Sequence, residues 1–398
     1  MGNAALQGLR VLDLGDFGSG PYCARILGDL GAEVIKVEPP AGDSARRIGP
    51  FPDDVPSSEA SGLFLYLNFN KLGITLNRST AAGQRVLHSL LAESDVVVLN
   101  AALGGGNKFG LDVQELHARY PDLVLTCITP FGLEGKYADN AGYDINVSAQ
   151  GGASPLPQEP GLEPLMPPSI QIELLSGLGA AFATIVALIA RAGGGGRVID
   201  FAQGLFIAAH SSGALARRVP GQAAPSAQQP GGLYPNHVLR CKDGEVFLFA
   251  PQKQQWIGFV QAMGEPEWTK DRRFRNRRAM NEEYPEETDA LVEAWLTQHT
   301  KQELLAIFMQ HRVPSAPLLN VKDVLESDHL RERGFFQQID HPVAGPLTYP
   351  GFQFRMSGTP MRVVRPAPLL GEHNEEILCG RLEMSRVELS RLRNAGVI

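Results

Sequence analysis

The sequence predicts an α/β protein, an open and mostly parallel sheet of about six strands followed by a smaller α+β region. Three observations carry this. Short apolar runs alternate with helical periodicity over the first two hundred positions. A glycine turn joins the first strand to the first helix. At Pro220 the composition changes abruptly to a Pro-, Gly-, Ala- and Gln-rich stretch.

In order, residues 9–14 read as a buried strand, 15–20 as a glycine turn, 22–30 as a helix and 33–38 as a second strand. That is a βαβ unit with a right-handed crossover. Short strands are expected at 74–76, 95–99, 123–128 and 197–200, with helices at 81–92, 113–119, 174–190 and 204–216, and a glycine-rich loop at 104–108. In such a sheet the ligand crevice lies at the carboxyl ends of the strands. The stretch 218–232 is too poor in apolar residues to pack and reads as a linker. A small domain over 233–330 follows, with a hairpin around Lys242-Asp243-Gly244 and helices over 252–263, 285–297 and 301–311. Beyond it, 331–398 is punctuated by Pro and Gly.

Composition narrows the function. A net charge of −7 on 398 residues, with no basic stripe carrying interleaved aromatics, argues against nucleic-acid or anionic-membrane partners. The four cysteines are far apart, with no CxxC and no zinc spacing, which suits a reducing cytoplasm and predicts no metal. The N-terminus has no basic segment followed by an apolar core, so no secretion signal is expected. The apolar run 174–190 is slightly short for a membrane span and rich in Gly and Ala, and is read as a buried core helix. Gly18 and Gly20 fit part of a dinucleotide fingerprint and Glu38 sits where a ribose-binding acid belongs. Cys23 occupies the third glycine position, so a nicotinamide or flavin site is only partly matched.

The most informative stretch is 167–177. Two prolines lead into the uncharged helix, and one carboxylate, Glu173, stands at its entry. An acid near the positive end of a helix dipole is favoured in its ionised form, which suits a nucleophile. The same residue type also simply complements the first turn of a core helix.

Several segments together resemble a known family: Gly-Leu-Arg-Val-Leu-Asp-Leu at 8–14, Gly20-Pro21-Tyr22-Cys23, the run from Leu27 through Glu38, and Gly142-Tyr143-Asp144. Leu174-Leu175-Ser176-Gly177, Cys241-Lys242-Asp243-Gly244, Val313-Pro314 and the run from Pro366 to His373 continue it. They are similar, in collinear order, to the class III CoA-transferases, the carnitine dehydratase / bile-acid-inducible family, which includes the α-methylacyl-CoA racemases. The resemblance implies a large Rossmann-like CoA-binding domain built from both termini (1–217 and 331–398), a small central domain (233–330), and a homodimer of interlocked rings. It implies a cytoplasmic enzyme with no tightly bound cofactor, using coenzyme A as substrate and passing CoA from an acyl-CoA to a carboxylic acid.

In that family an Asp opens the corresponding helix and attacks the thioester, giving a mixed anhydride and then an enzyme-bound CoA thioester. Here the matching residue is Glu173, with a reach longer by one C–C bond, about 1.5 Å. The resemblance further implies substrate or CoA contacts at Phe17, Gly18, Ser19, Lys36, Lys71, Asn100, Ala101, Lys108 and Tyr143, and a flexible shielding segment at Gly231-Gly232. Two arginines that the family often carries before Gly73 are absent, leaving Lys71 as the expected phosphate contact, with Arg46 and Arg47 as compensating candidates. These departures keep a second reading open, a non-catalytic or repurposed acyl-CoA-binding paralogue. Racemase chemistry needs two proton-exchanging groups about the α-carbon. Tyr143 stands where the racemases have His, and 251–254 lacks their Glu, so this alternative is the weaker one. Asp144 is read as a helix cap or structural hydrogen-bond partner, and His373 as structural.

Overall fold

The computed structural model describes residues 4–101, 109–153, 165–167, 170–210 and 233–398. They fall into a large unit within 1–218 and 334–398 and a smaller one within 219–333. The glycine-rich loop at 104–108, including Lys108, and the segment carrying Gly231 and Gly232 lie outside the described residues.

The large unit is built on six parallel strands: β1 (Arg10–Asp13), β2 (Glu33–Glu38), β3 (Lys71–Thr75), β4 (Val96–Asn100), β5 (Val124–Thr129) and β6 (Val198–Ala202), in the order β3-β2-β1-β4-β5-β6. Every residue of β3, β4 and β5 is buried, which is why these strands read as continuous apolar runs rather than alternating ones. The order reverses between β1 and β4, and that switch point is where a doubly wound sheet opens a crevice. The helices of this unit are α1 (Ser19–Asp29), α2 (Gly62–Asn68), α3 (Ala81–Ala92), α4 (Val113–Arg119), α5 (Asp144–Gln150), α6 (Gln171–Arg191) and α7 (Gln203–His210).

The expected helix at 174–190 starts earlier and places Glu173 in the first turn of α6. Among the described residues α6 is the one helix long and apolar enough to cross a membrane. Its small-residue face, with Ser176, Gly177, Ala180, Ala181 and Thr184, is buried against α1 and β5. A Cβ on Gly177 would come within 2.7 Å of the Ser19 carbonyl, so glycine is what lets α6 approach α1 this closely. Thr184 Oγ1 bonds Thr126 Oγ1 at 2.7 Å and fastens the helix to the sheet. The helix stops at Ala192, where the glycines at 193–196 take over, two of them at positive φ.

The expected strand at 74–76 begins at Lys71 instead. Its outer edge is closed by the C-terminal run: His373 N–H bonds the Gly73 carbonyl at 2.9 Å, Gly73 N–H donates to His373 Nδ1 at 3.1 Å, and Thr75 N–H donates to Asn374 Oδ1 at 2.9 Å. His373 is thus a structural residue that covers a strand edge. A hairpin, β10 (Phe336–His341) with β11 (Gly345–Pro350), and the final helix α14 (Arg386–Asn394) also belong to this unit.

The small unit has its own core, with Phe259, Phe274, Val292, Leu296, Leu304 and Phe308 buried. It contains an antiparallel sheet of β7 (Asn236–Cys241), β8 (Gly244–Phe249) and β9 (Ala316–Pro317). Its helices are α8 (Lys253–Ala262), α9 (Arg277–Glu282), α10 (Pro285–Leu296), α11 (Lys301–Gln310), α12 (Val321–Leu325) and α13 (Asp328–Glu332). Thr300 and Glu303 form a reciprocal cap at the start of α11.

Candidate active site

The site is assembled from the carboxyl ends of β1, β4, β5 and β6, on both sides of the switch point. A small cleft is lined by Phe17, Ser19, Asn100, Ala101, Ile128, Pro130, Gly142, Glu173 and Gln203. Both oxygens of Glu173 are held: the Ser19 backbone N–H donates to Oε2 at 2.7 Å and Gln203 Nε2 donates to Oε1 at 3.1 Å. Among the described residues no ion pair involves Glu173. A carboxylate met by N–H dipoles, and not neutralised by a cation, keeps its charge available for attack.

The glycine turn is shaped around this side chain. A Cβ at Gly18 would lie 2.7 Å from both Cβ and Oε2 of Glu173, so the turn and the acid share one space. Phe17 is buried in the left-handed region at φ 67°, a strained setting for a non-glycine residue. Its strain is held by bonds at and before it: Phe17 N–H donates to Asp43 Oδ1 at 3.0 Å, and the Asn100 carboxamide clamps Asp16 by accepting from its N–H at 2.7 Å and donating to its carbonyl at 2.9 Å. Gly18 N–H is occupied by the Asp16 carbonyl, so of the two adjacent N–H groups it is Ser19's that faces the acid.

Lys36 and Lys71 require correction. Sequence reasoning places them at CoA, whereas both are fully buried beneath the turn. Lys71 Nζ donates to Asp13 Oδ2 at 2.8 Å, to the Pro21 carbonyl at 2.7 Å and to Asn68 Oδ1 at 2.9 Å. Lys36 Nζ lies 2.7 Å from Asp43 Oδ2 and donates to the Gly15 carbonyl at 3.0 Å. Lys71 was misread because its strand begins three residues earlier than the apolar pattern suggests. The two ammonium groups diverge in acidity. Burial pushes Lys71 down to about 8, with Asp13 opposing the shift and Lys36 adding to it; for Lys36 burial acts in the same sense but Asp13 and Asp43 outweigh it and hold it high.

Arg46 is not free to compensate either, since its guanidinium grips Glu38 at 2.6 and 2.8 Å and Glu59 at 2.8 Å. The same contact consumes the acid that a nicotinamide ribose would need. Tyr143 is the N-cap residue of α5, half-exposed, and stands outside the cleft's lining, which Gly142 joins instead. Asp144 is the first residue of α5 rather than its cap; it accepts from the Ile172 N–H, and its Oδ2 is buried without a hydrogen-bond partner. Burial, and then the charge of Glu173, push its carboxyl up to about 7.

Two features escaped sequence reasoning. Gln203 follows β6 directly, and a polar residue ending an apolar strand at the carboxyl edge of a sheet was the available signal. The other is a cleft at the end of β3, lined by Leu76, Asn77, Arg78, Thr80 and Gln84 among others. Thr80 caps α3 there, and Arg78 lies close enough to Asp16 to feel its charge.

The family model for CoA-transferase family III matches residues 6–374. The chain is 31% identical over 411 residues to the succinyl-CoA–D-citramalate CoA-transferase of Chloroflexus aurantiacus, covering 99% of this chain and 98% of that one. It is 32% identical over 425 residues to the formyl-CoA:oxalate CoA-transferase of Afipia carboxidovorans, covering 99% and 97%. Among solved structures, a CAIB/BAIF family protein from Brucella suis superposes with a TM-score of 0.84 at 31% identity, over 95% of this chain and 99% of that one. The protein therefore belongs to CoA-transferase family III, and it is an enzyme of that class whose substrates are CoA thioesters.

Proposed function

We propose that this enzyme moves CoA from an acyl-CoA donor to a carboxylic acid through covalent attachment to Glu173. The observation that carries the reading is the Glu173 carboxylate itself, fixed by Ser19 N–H and the Gln203 amide in a cleft at the sheet's switch point. Attack of this carboxylate on the donor thioester carbon expels CoA thiolate and leaves a mixed anhydride. The thiolate then takes the Glu173 carbonyl carbon and releases the donor acid. The acceptor carboxylate reverses the sequence and leaves as its CoA thioester. Every step exchanges one carboxylate or thiolate for another, so the site has no call for a metal or a proton relay.

The extra methylene of Glu173 relative to the family's Asp is taken up by the turn: with no Cβ at Gly18, the longer side chain lies against the backbone. With Lys36, Lys71 and Arg46 committed to buried pairs, the phosphate end of CoA is assigned to the cleft at Arg78 and the N-terminus of α3, where a guanidinium and a helix dipole favour an anion.

The outer face of α6 carries Leu175, Leu178, Phe182, Val186 and Ile189 at helical spacing, with Phe182 70% and Ile189 72% exposed. A second copy of the chain covering this stripe is the homodimer we infer. Four free cysteines, three of them buried, fit a cytoplasmic setting.

The test is chemical. Incubation with an acyl-CoA followed by hydroxylamine or borohydride modifies Glu173, as read by peptide mass spectrometry. Glu173→Gln lowers exchange of CoA between acids by at least roughly ten-thousandfold. Acyl-CoA binding with no label at Glu173 would instead identify a repurposed, non-catalytic binder.

A further inference from the structure

The two donors on Glu173 differ in kind. Ser19 offers a backbone N–H that only proline would remove, whereas Gln203 offers a side chain that is only 4% exposed. Oε2 lies against the Gly18 backbone, whereas Oε1 is turned to the buried Gln203 amide. With Oε2 as the attacking oxygen, Oε1 stays behind as the side chain's carbonyl oxygen and keeps its bond to the amide.

This matters because in the covalent mechanism Glu173 is a nucleophile only at the outset. Its own Cδ is then attacked twice. CoA thiolate adds to Cδ of the first anhydride: the C–S bond forms, the C–O bond to the donor acyl group breaks, and the electron pair departs with the donor carboxylate. The acceptor carboxylate later adds to Cδ of the enzyme thioester: a C–O bond forms, the C–S bond breaks and thiolate leaves. Thiolate next attacks the acceptor carbonyl and Glu173 returns as a carboxylate. At each addition to Cδ, negative charge collects on Oε1.

We propose that the Gln203 amide is a catalytic oxyanion donor for the tetrahedral species formed on Glu173 itself. The inference rests on the covalent reading given above. A preset donor at such a position is worth about 10²–10³ in rate. It acts on kcat rather than on substrate binding, because it touches neither CoA nor the donor acyl group before attack.

The experiment is Gln203→Met, which keeps the side chain's length and removes the donor, with Glu173→Gln alongside. The expected result is a fall in kcat of about a hundredfold with the KM for acyl-CoA within about threefold of wild type. The ¹³C-edited infrared carbonyl band of the Glu173–CoA thioester shifts to higher wavenumber, a readout that a purely structural Gln203 would leave unmoved. Should Gln203→Met not fold, Gln203→Leu, which is also without a donor, must show the same loss. A folded Gln203 variant with wild-type kcat and an unmoved band, while Glu173→Gln is inactive, overturns this inference alone. Full exchange by Glu173→Gln removes the covalent reading and the inference with it.

Discussion

Two polar regions of the large unit lie on opposite sides of one glycine turn, and they treat charge in opposite ways. Beneath the turn, Asp13, Lys36, Asp43 and Lys71 are all buried and are matched acid for base. On the other side Glu173 has dipoles but no cation among the described residues, and Asp144 adds a second carboxyl next to it. The first arrangement spends its charge on holding Gly15, Pro21 and Phe17 in place through Lys36, Lys71 and Asp43. The second leaves a carboxylate without an ion pair among the described residues, where the proposed reaction needs a nucleophile. Paired charge builds the frame, the proposed chemistry rests on the unpaired carboxylate, and a strained residue, Phe17, joins the two.

Breaking the frame has the largest expected effect on stability. Lys71→Met leaves the buried Asp13 with Lys36 alone, 3.8 Å away, and loss of one partner of a buried pair costs about 3–5 kcal/mol, so a loss toward the lower end is expected. Urea unfolding checks it, and adding Asp13→Asn recovers part of the loss, because the two residues are coupled. Breaking the junction comes next. Gly18→Ala drives a methyl group into Glu173, and a displacement of about 1 Å lowers kcat by roughly a hundredfold. Steady-state kinetics on a variant with an unchanged melting curve separates this from a folding defect.

Arg78→Met tests where the nucleotide end binds. A charged hydrogen bond contributes about 1.5–3 kcal/mol, so the KM for acyl-CoA rises about 10–100-fold with kcat retained. Unaltered KM would show that the phosphates are held elsewhere.

The smallest effect sharpens the contrast in charge. Folding raises the Asp144 carboxyl from 3.8 to about 7, so between those values the folded state keeps a proton the unfolded chain has released. Stability associated with this group is complete at low pH and is lost as pH rises through about 7. Asp144→Asn therefore melts higher than wild type at pH 8 and no higher at pH 4, with a modest difference because the residue is partly exposed. Equal melting shifts at both pH values would mean that burial and Glu173 together do not raise the Asp144 carboxyl.

Much of the sheet could be read from the chain because burial on both faces leaves apolar runs, as at Val96–Asn100, and because glycine turns mark the strand ends. Glu173 stood out as the only charge at the head of a long uncharged helix. The lysines misled because a basic residue in sequence carries no sign of whether its partner is a ligand or an aspartate 58 positions away. Gln203 was overlooked because its one local signal, a polar residue just past a strand, does not tell an amide aimed at the acid 30 residues before it from one facing water.

By itself, then, the sequence determined which segments bury themselves, where the chain turns, and which carboxylate is exceptional, since periodicity, glycine and isolated charge act over a few residues. Only the tertiary structure decided which charges cancel. That depends on distances between side chains brought from β1, β2, β3 and the turn after β2, and in a water-poor interior a few ångströms separate a rigid ion pair from a reactive anion.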